Sequence, residues 1–475
     1  MPTISNVIGL LLIGLGAAML VPAAVDPADA LQFIMSATIT LFFGAALFLA
    51  NRTPEYRIDV RQAYLLTSGA WTVLPLFAAL PFALSGIGIT DAVFESVSGV
   101  TTTGSTILTR IDFRPPSLLF WRAMLQWAGG VGIIVTSIAI LPLLRVGGMQ
   151  LFRTESSERS DKELPRAATI AAGTLWAYGA ISIACAIAYK VAGMGVFDAV
   201  THAMTTVSTG GYSTHDLSMG HFGNPAIHWI ATLFMLAGSI PFVLYIRLTR
   251  GGSLHSVQVR ALLGFLASVI FVLTLWRLVH SDATVFEALT AVSFSVVSVV
   301  TTTGFATADY TEWGAFAVFV FFVLTFVGGC TGSTAGGIKF MRLIVVGKML
   351  RVALWRIFYP HGVFVERYED KRLGGDVMGS VAAYLVMFFV SYLLLTAGLQ
   401  FTGLDFPTSA SGAVTALANV GPGIGPKIGP SGNFSMLPDA AKWLLCLGML
   451  LGRLEFIALL VLANPAYWRP WAKPL

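Results

Sequence analysis

VTTTGST (100–106), VSTGGYS (207–213), VTTTGFA (300–306) and NVGPGIG (419–425) each set glycine among small or hydroxyl residues at the end of a short apolar segment. One TTTG alone reads as a turn between helices. Four glycine stretches of this kind on one chain read as a pore. Thirteen residues before the glycine stand Asp91 (to Gly104), Asp198 (to Gly211) and Thr408 (to Gly421), residue types that cap helix N-termini. The third copy has Ala291 at that distance and Glu287 one turn earlier, which predicts a longer pore helix. The fourth is the most divergent, with Asn419 and Pro422.

A chain of 475 residues that is 56% apolar and 11% charged has too little charged surface for a soluble protein. Apolar runs near 4–25, 31–50, 63–85, 118–144, 168–189, 226–246, 261–280, 312–327, 376–401 and 441–464 mostly approach the roughly 20 residues that a helix needs to cross a bilayer. Ten crossings are therefore expected. Most of the 29 Lys and Arg fall in 51–62, 145–166, 247–260, 339–372 and the C-terminal tail. By the positive-inside rule these segments and both termini are cytoplasmic, and the four glycine stretches face outward. The net charge of +5 reflects that loop bias and not nucleic-acid binding. The first apolar run lacks a basic n-region and is expected to be a retained helix. Cys185, Cys330 and Cys446 show neither disulfide nor metal-ligand spacing.

The expected fold is an all-α integral membrane protein, with four helix–pore-helix–helix repeats around a pseudo-fourfold pore. The divisions are two N-terminal helices (1–61), repeat 1 (62–166), repeat 2 (167–256), repeat 3 (257–374) and repeat 4 (375–475). A cation leaving water needs its hydration shell replaced, and rings of backbone carbonyls do so without burying a charge. Glycine adopts the backbone angles that aim carbonyls inward, and Thr or Ser hydroxyls hold that backbone in place.

GGCTGSTAGG (328–337) interrupts what would otherwise be one helix from about 312 to 350. Each of its glycines costs about 1 kcal/mol relative to alanine in a helix, so an irregular loop beneath the filter is expected, with a packing kink as the alternative. A phosphate-binding loop is excluded because Lys339 follows Ile338 and no Gly-Lys-Ser/Thr is present. Arg453 lies in the last apolar run, where arginine is expensive and needs a partner or water. Glu455, two residues on, is off its helical face. Lys339 reads as an interface lysine. His202 and His215 flank the second stretch without a third metal ligand. Asp216 and Asp309 follow two of the stretches, as external cation-attracting groups or as caps, and Trp468 and Trp471 read as interfacial anchors.

The combination of VTTTG (100–104), LQWAGGVGIIV (125–135), VSTGGYSTHD (207–216), VVTTTGFATADY (299–310), GGCTGSTAGGIK (328–339), NVGPG (419–423) and LLGRLE (450–455) resembles the superfamily of Trk, Ktr and HKT cation transporters over essentially the whole chain. The likeness is strongest to bacterial Trk potassium-uptake membrane subunits. It implies a potassium-selective pore within one subunit, homodimer assembly in the bacterial inner membrane, and a cytoplasmic ring of nucleotide-binding regulatory subunits. It implies potassium as the transported ion, without an organic cofactor. Carried over, the coordinating positions are Thr102, Thr103 and Gly104; Thr209, Gly210 and Gly211; Thr302, Thr303 and Gly304; and Asn419, Val420 and Gly421. Gly211 is preferred to Gly210 as the key glycine of the second copy because it keeps the offset from Asp198. Glycine in all four copies favours potassium, since serine replaces the first in sodium-selective plant relatives. The same resemblance makes Gly328, Gly329, Cys330, Thr331, Gly332, Ser333, Thr334, Ala335, Gly336 and Gly337 an intramembrane gate, with Arg453 bonded to its carbonyls.

The basic segment 339–372, together with 145–166, is the expected contact surface for the regulatory ring. Two mechanisms stay open: a gated uniporter, and a proton- or sodium-coupled symporter working by alternating access. Only Glu455 lies as a carboxylate deep in an apolar run, which weighs against coupling. No nucleophile–base constellation points to an enzyme.

Overall fold

The computed structural model describes residues 2–51, 59–139, 163–249, 251–252, 256–369 and 371–468. Trp471 and most of 145–166 lie outside these residues. A helix satisfies its own backbone, which is what allows it to stand in hydrocarbon. Among the described residues six helical stretches are long and apolar enough to cross a membrane: Pro2–Val25, Pro27–Ala50, Arg61–Leu84, Ala171–Val191, Val257–His280 and Gly375–Phe401. A bent pair, Pro225–Ser239 with Phe242–Thr249, makes a seventh candidate.

The ten expected crossings are thus not ten straight apolar helices. Pro116–Ala139 is diluted by the buried Arg122 and Gln126 and by Gly129, Gly130 and Gly132. The run 226–246 bends by 91° at Ile240–Pro241, where proline supplies no N–H to continue the ladder. Ala315–Leu324 stops short of the glycine loop. The last run ends its helix at Arg453 and restarts at Ile457, with Glu455 and Phe456 at φ of 55° and 62°.

Four short helices carry the glycine stretches: Ile89–Val100, Val196–Val207, Val285–Val300 and Phe406–Ala418. Their N-termini correct the capping expectation. The N-caps are Gly88, Gly195, Thr284 and Asp405. Asp91, Asp198 and Thr408 instead occupy the third helical position, where a carboxylate complements the helix dipole and Thr408 bonds Asp405. Glu287 holds the same place in a capping box with Thr284, on a helix of 16 residues against 12, 12 and 13. The expected extra turn of the third pore helix is present.

A long helix enters each unit, the short helix follows, and a second long or broken helix leaves. Close packing sets the leaving helices against the pore-helix ends. A Cβ on Gly129 would stand 1.9 Å from the Val100 carbonyl oxygen, and one on Gly452 1.9 Å from that of Leu417. One apolar core joins residues such as Cys185, Phe242, Val292 and Phe321. Another joins Phe33, Phe82, Trp121, Phe388 and Leu445. A two-residue antiparallel hairpin, Arg367–Tyr368 with Lys371–Arg372, is the one strand pairing in a named ladder among the described residues. Because neither Gly129 nor its backbone neighbour can yield cheaply, Gly129→Leu is expected to cost at least about 1–3 kcal/mol. The thermal midpoint of the purified protein should fall; an unchanged midpoint would contradict this packing.

Candidate ion-conduction site

After each pore helix the backbone repeats one unusual sequence of angles. Thr102, Thr209, Thr302 and Asn419 are left-handed, at φ of 54°, 52°, 57° and 54°, and two residues on Gly104, Gly211, Gly304 and Gly421 have φ of 86°, 76°, 78° and 109°. A non-glycine residue enters this region at a cost, and four such residues at equivalent places mark a built feature. The angles also align the second stretch: Gly211 matches Gly104, Gly304 and Gly421, while Gly210 takes the place of Thr103, Thr303 and Val420.

The four stretches close on one another. A Cβ added to Gly104 would stand 2.2 Å from the Gly210 carbonyl oxygen, to Gly211 1.8 Å from that of Thr303, to Gly304 2.0 Å from that of Val420, and to Gly421 2.8 Å from that of Thr103. Each glycine thus abuts the carbonyl of the next stretch, and the fourth returns to the first. Any side chain larger than hydrogen would displace that carbonyl.

Side chains behind the ring fix it. Gln126 donates from Nε2 to the Gly210 carbonyl (2.6 Å) and accepts at Oε1 from the Tyr212 N–H (3.0 Å). Ser105 donates to the Gly421 carbonyl (2.8 Å), leaving that oxygen a second lone pair. The Thr101–Thr103 and Thr301–Thr303 hydroxyl pairs stand at 2.7 and 2.8 Å, and Asn419 Nδ2 donates to Thr103 Oγ1 (2.9 Å) and the Met449 carbonyl (3.0 Å).

Glu95 and Arg122, both buried, form a 2.8 Å ion pair. Arg122 Nη1 also donates to the Ser213 carbonyl (2.9 Å), its guanidinium lies over the Tyr212 ring, and Glu95 accepts from the Ile107 N–H (3.0 Å). One pair thereby ties the exits of the first and second stretches together. Glu95 and Gln126 are not among the residues that the sequence alone singles out. Their signal was polar residues within apolar segments. His202 is spent on structure, bonding the Asp198 carbonyl and Ser213 Oγ, each at 2.9 Å. Asp309 caps the short Tyr310–Trp313 turn, whereas Asp216 offers its N–H to Asp112. Outside the spans, the neighbouring carboxylates of Asp198 and then Asp112 raise the His215 pKa above its usual value.

Beneath the ring, Thr325 to Lys339 form an irregular loop, closed at its neck by a parallel bridge of Val327 with Ile338. Its backbone groups find partners in the 91° bend of the preceding unit: Cys330 N–H to the Ser239 carbonyl (3.0 Å), Thr334 N–H to that of Gly238 (3.2 Å), and Phe242 N–H to the Gly332 carbonyl (3.0 Å). Thr331 N–H reaches Gln258 Oε1 (3.1 Å). Gly336 N–H donates to Thr302 Oγ1 (2.6 Å), and Thr334 Oγ1 lies 3.2 Å from Thr209 Oγ1, so the loop touches the underside of two glycine stretches. A Cβ on Gly328 would meet the Gly336 carbonyl at 2.0 Å. Ser333 Oγ bonds the Cys330 carbonyl.

Arg453 is buried, and its Nη1 donates to the Thr334 carbonyl (3.0 Å). Its Nε and Nη2 have no hydrogen-bond partner among the described residues. Arg453 lines a small cavity together with Ile133, the loop residues Ala335 to Gly337, Lys339, Asn419, Gly452 and Glu455. Lys339 is not at an interface: it is buried and donates to the Ala335 carbonyl. Glu455, off the face of Arg453, pairs with buried Arg342.

Constricted backbone, buried counter-charges and membrane-length helices define a multi-pass membrane transporter. The family model described as a cation transport protein, TrkH, matches residues 30–469, and the chain belongs to that family, which is a transporter family and not one of enzymes. It is 49% identical over 447 residues to the Trk system potassium uptake protein TrkI of Halomonas elongata, covering 93% of this chain and 91% of the relative. It is 38% identical over 488 residues to the Trk system potassium uptake protein TrkH of Escherichia coli K12, covering 98% and 99%. The crystal structure of the potassium transporter TrkH from Vibrio parahaemolyticus superposes with a TM-score of 0.91 at 34% identity, over 98% of this chain and 99% of that one. Removing one partner of a buried pair costs about 3–5 kcal/mol. Glu95→Gln should therefore lower the thermal midpoint sharply, and an unaltered midpoint would contradict the pair's role in holding the first two stretches.

Proposed function

We propose that this chain carries potassium ions across the bacterial inner membrane through the ring formed by the four glycine stretches. The closed circuit of glycine against carbonyl supports this reading most directly, because it sets four backbone segments against one another in turn. The backbone carbonyls of Thr102, Thr103 and Gly104, Thr209, Gly210 and Gly211, Thr302, Thr303 and Gly304, and Asn419, Val420 and Gly421 replace the ion's water. The pore helices point their partly negative ends at that place. Both termini are cytoplasmic, the filter faces outward, and the chain works as a homodimer, its four repeats dividing at the boundaries given above.

The loop Gly328–Gly337 is the gate, and Arg453 latches it by holding the Thr334 carbonyl while opposing cations beneath the filter. A cytoplasmic nucleotide-binding subunit acts through the helix Phe340–Phe358, which begins at the end of the loop. That helix exposes Leu350, Leu354, Trp355, Ile357 and Phe358, and its Lys348 bonds Arg367 of the hairpin. Met341 and Val345 share a small core with Tyr368 and Leu373, so a pull on the hairpin reaches the loop.

Uniport is favoured over proton or sodium symport by the state of the buried carboxylates. Glu95 and Glu455 are each committed to an arginine, Arg122 and Arg342. Proton coupling needs an ionisable group free to change charge. Gly104→Ser tests the filter: in proteoliposomes under opposed potassium, sodium and proton gradients, the wild-type reversal potential should follow potassium alone. The variant should lose at least about tenfold in potassium-over-sodium preference, about 1.4 kcal/mol. A wild-type potential that follows pH or sodium would favour the symporter, and unchanged selectivity in the variant would remove Gly104 from the filter.

A further inference from the structure

In the sequence His202 and His215 lack a third metal ligand, and in the fold His202 is spent on structure. Folding supplies His215 with two partners, from both sides. His221 follows it in the short turn Ser218–His221, and Asp112 arrives from the segment after the first glycine stretch. One ligand atom from each of Asp112, His215 and His221 lies within 4.8 Å of the others. His215 Nδ1 is 2.5 Å from Asp112 Oδ1, and its Nε2 is 3.5 Å from Asp198 Oδ1. The His215 and His221 rings are stacked, with centroids 3.5 Å apart and 1° from parallel. Phe222 stands edge-on to both, at 5.4 and 5.2 Å.

We infer that Asp112, His215 and His221 form an external site for a divalent transition-metal ion of zinc type, and that its occupation restrains potassium influx. Two imidazoles and a carboxylate are the donor set of such ions, and three protein ligands leave a fourth position for water. The exposed His221 ring needs only rotation about its soft terminal torsion to turn its lone pair from the stack toward the shared point. Asp198, beside His215, adds a second negative charge and serves as the outer partner that orients a ligating histidine.

The place of the site gives the ion its effect, and this step rests on the proposed outward-facing filter. Ser213 accepts at its hydroxyl from the His215 N–H (3.1 Å) and at its carbonyl from Arg122 (2.9 Å). The His221 turn is stitched to the exit of the third stretch, Gly220 N–H to the Ala306 carbonyl (3.1 Å) and Ala306 N–H to Ser218 Oγ (3.3 Å). A bound ion would therefore clamp the outer rim contributed by three repeats. It would also put positive charge where cations approach.

Purified protein in lipid nanodiscs, titrated with zinc by calorimetry and with cobalt(II) by visible absorption, tests the site directly. One zinc per chain and a tetrahedral cobalt spectrum are expected, with at least about tenfold weaker binding in His221→Ala and in His215→Gln. Equal zinc binding in wild type and both variants would overturn the site. Proteoliposome potassium uptake with external zinc tests the consequence: zinc should slow wild-type uptake, and half-inhibition in His221→Ala should need at least about tenfold more zinc. Metal bound at these residues without any change in uptake would overturn the restraint. A wild-type chain with no potassium uptake even in the absence of zinc would defeat the transport reading instead, and the calorimetric result would still decide the site.

Discussion

The contact of a glycine Cα with the carbonyl of the neighbouring repeat, made four times in a closed circuit, is the constraint on which the rest of the molecule depends. Each contact needs hydrogen in place of a side chain, and it needs a left-handed residue two positions earlier to turn the chain. Neither condition is met by helix or sheet, so the surrounding structure has to hold a costly backbone in place. Thr101, Thr301, Ser105, Gln126 and Asn419 do so by hydrogen bonds, and the Glu95–Arg122 pair does so by charge.

The same accounting explains the broken helices. Irregular backbone within a membrane is tolerated only where protein or a wet cavity satisfies its polar groups. The loop Thr325–Lys339 finds its partners at the bend after Ser239, and Arg453 reaches its Thr334 carbonyl at the end of another interrupted helix. Three breaks in three different apolar runs thus meet at one level beneath the ring. Buried cations collect there too: Lys339, Arg342 and Arg453, with Glu455 balancing one of them.

Much of this was legible in the sequence because it is local. Glycine with hydroxyl residues at a fixed distance from Asp91, Asp198 and Thr408 marks the pore helices whether those residues cap the helix or, as here, occupy its third position. Glu287 announced the longer third helix for the same reason. The preference for Gly211 over Gly210 rested on counting alone, and the positive φ at Gly211 is its physical basis. What could not be read were pairings between distant parts of the chain. Glu95 finds Arg122 27 residues away, and Arg342 finds Glu455 113 residues away. Hydropathy likewise gave apolar runs but not their interruptions: it passes over Pro241, and the break at Leu454–Phe456 lies between Arg453 and Glu455, whose partners Thr334 and Arg342 are outside that run. His215 looked isolated because Asp112 comes from another repeat.

Crystals of the protein soaked with thallium or rubidium, which stand in for potassium and scatter anomalously, test the central claim most directly. Anomalous density is expected on the axis of the ring, at the level of the carbonyls of Thr103, Gly210, Thr303 and Val420, and it should vanish in Gly104→Ser. Density confined to other parts of the molecule, or an empty ring axis in crystals that take up the ion elsewhere, would contradict it.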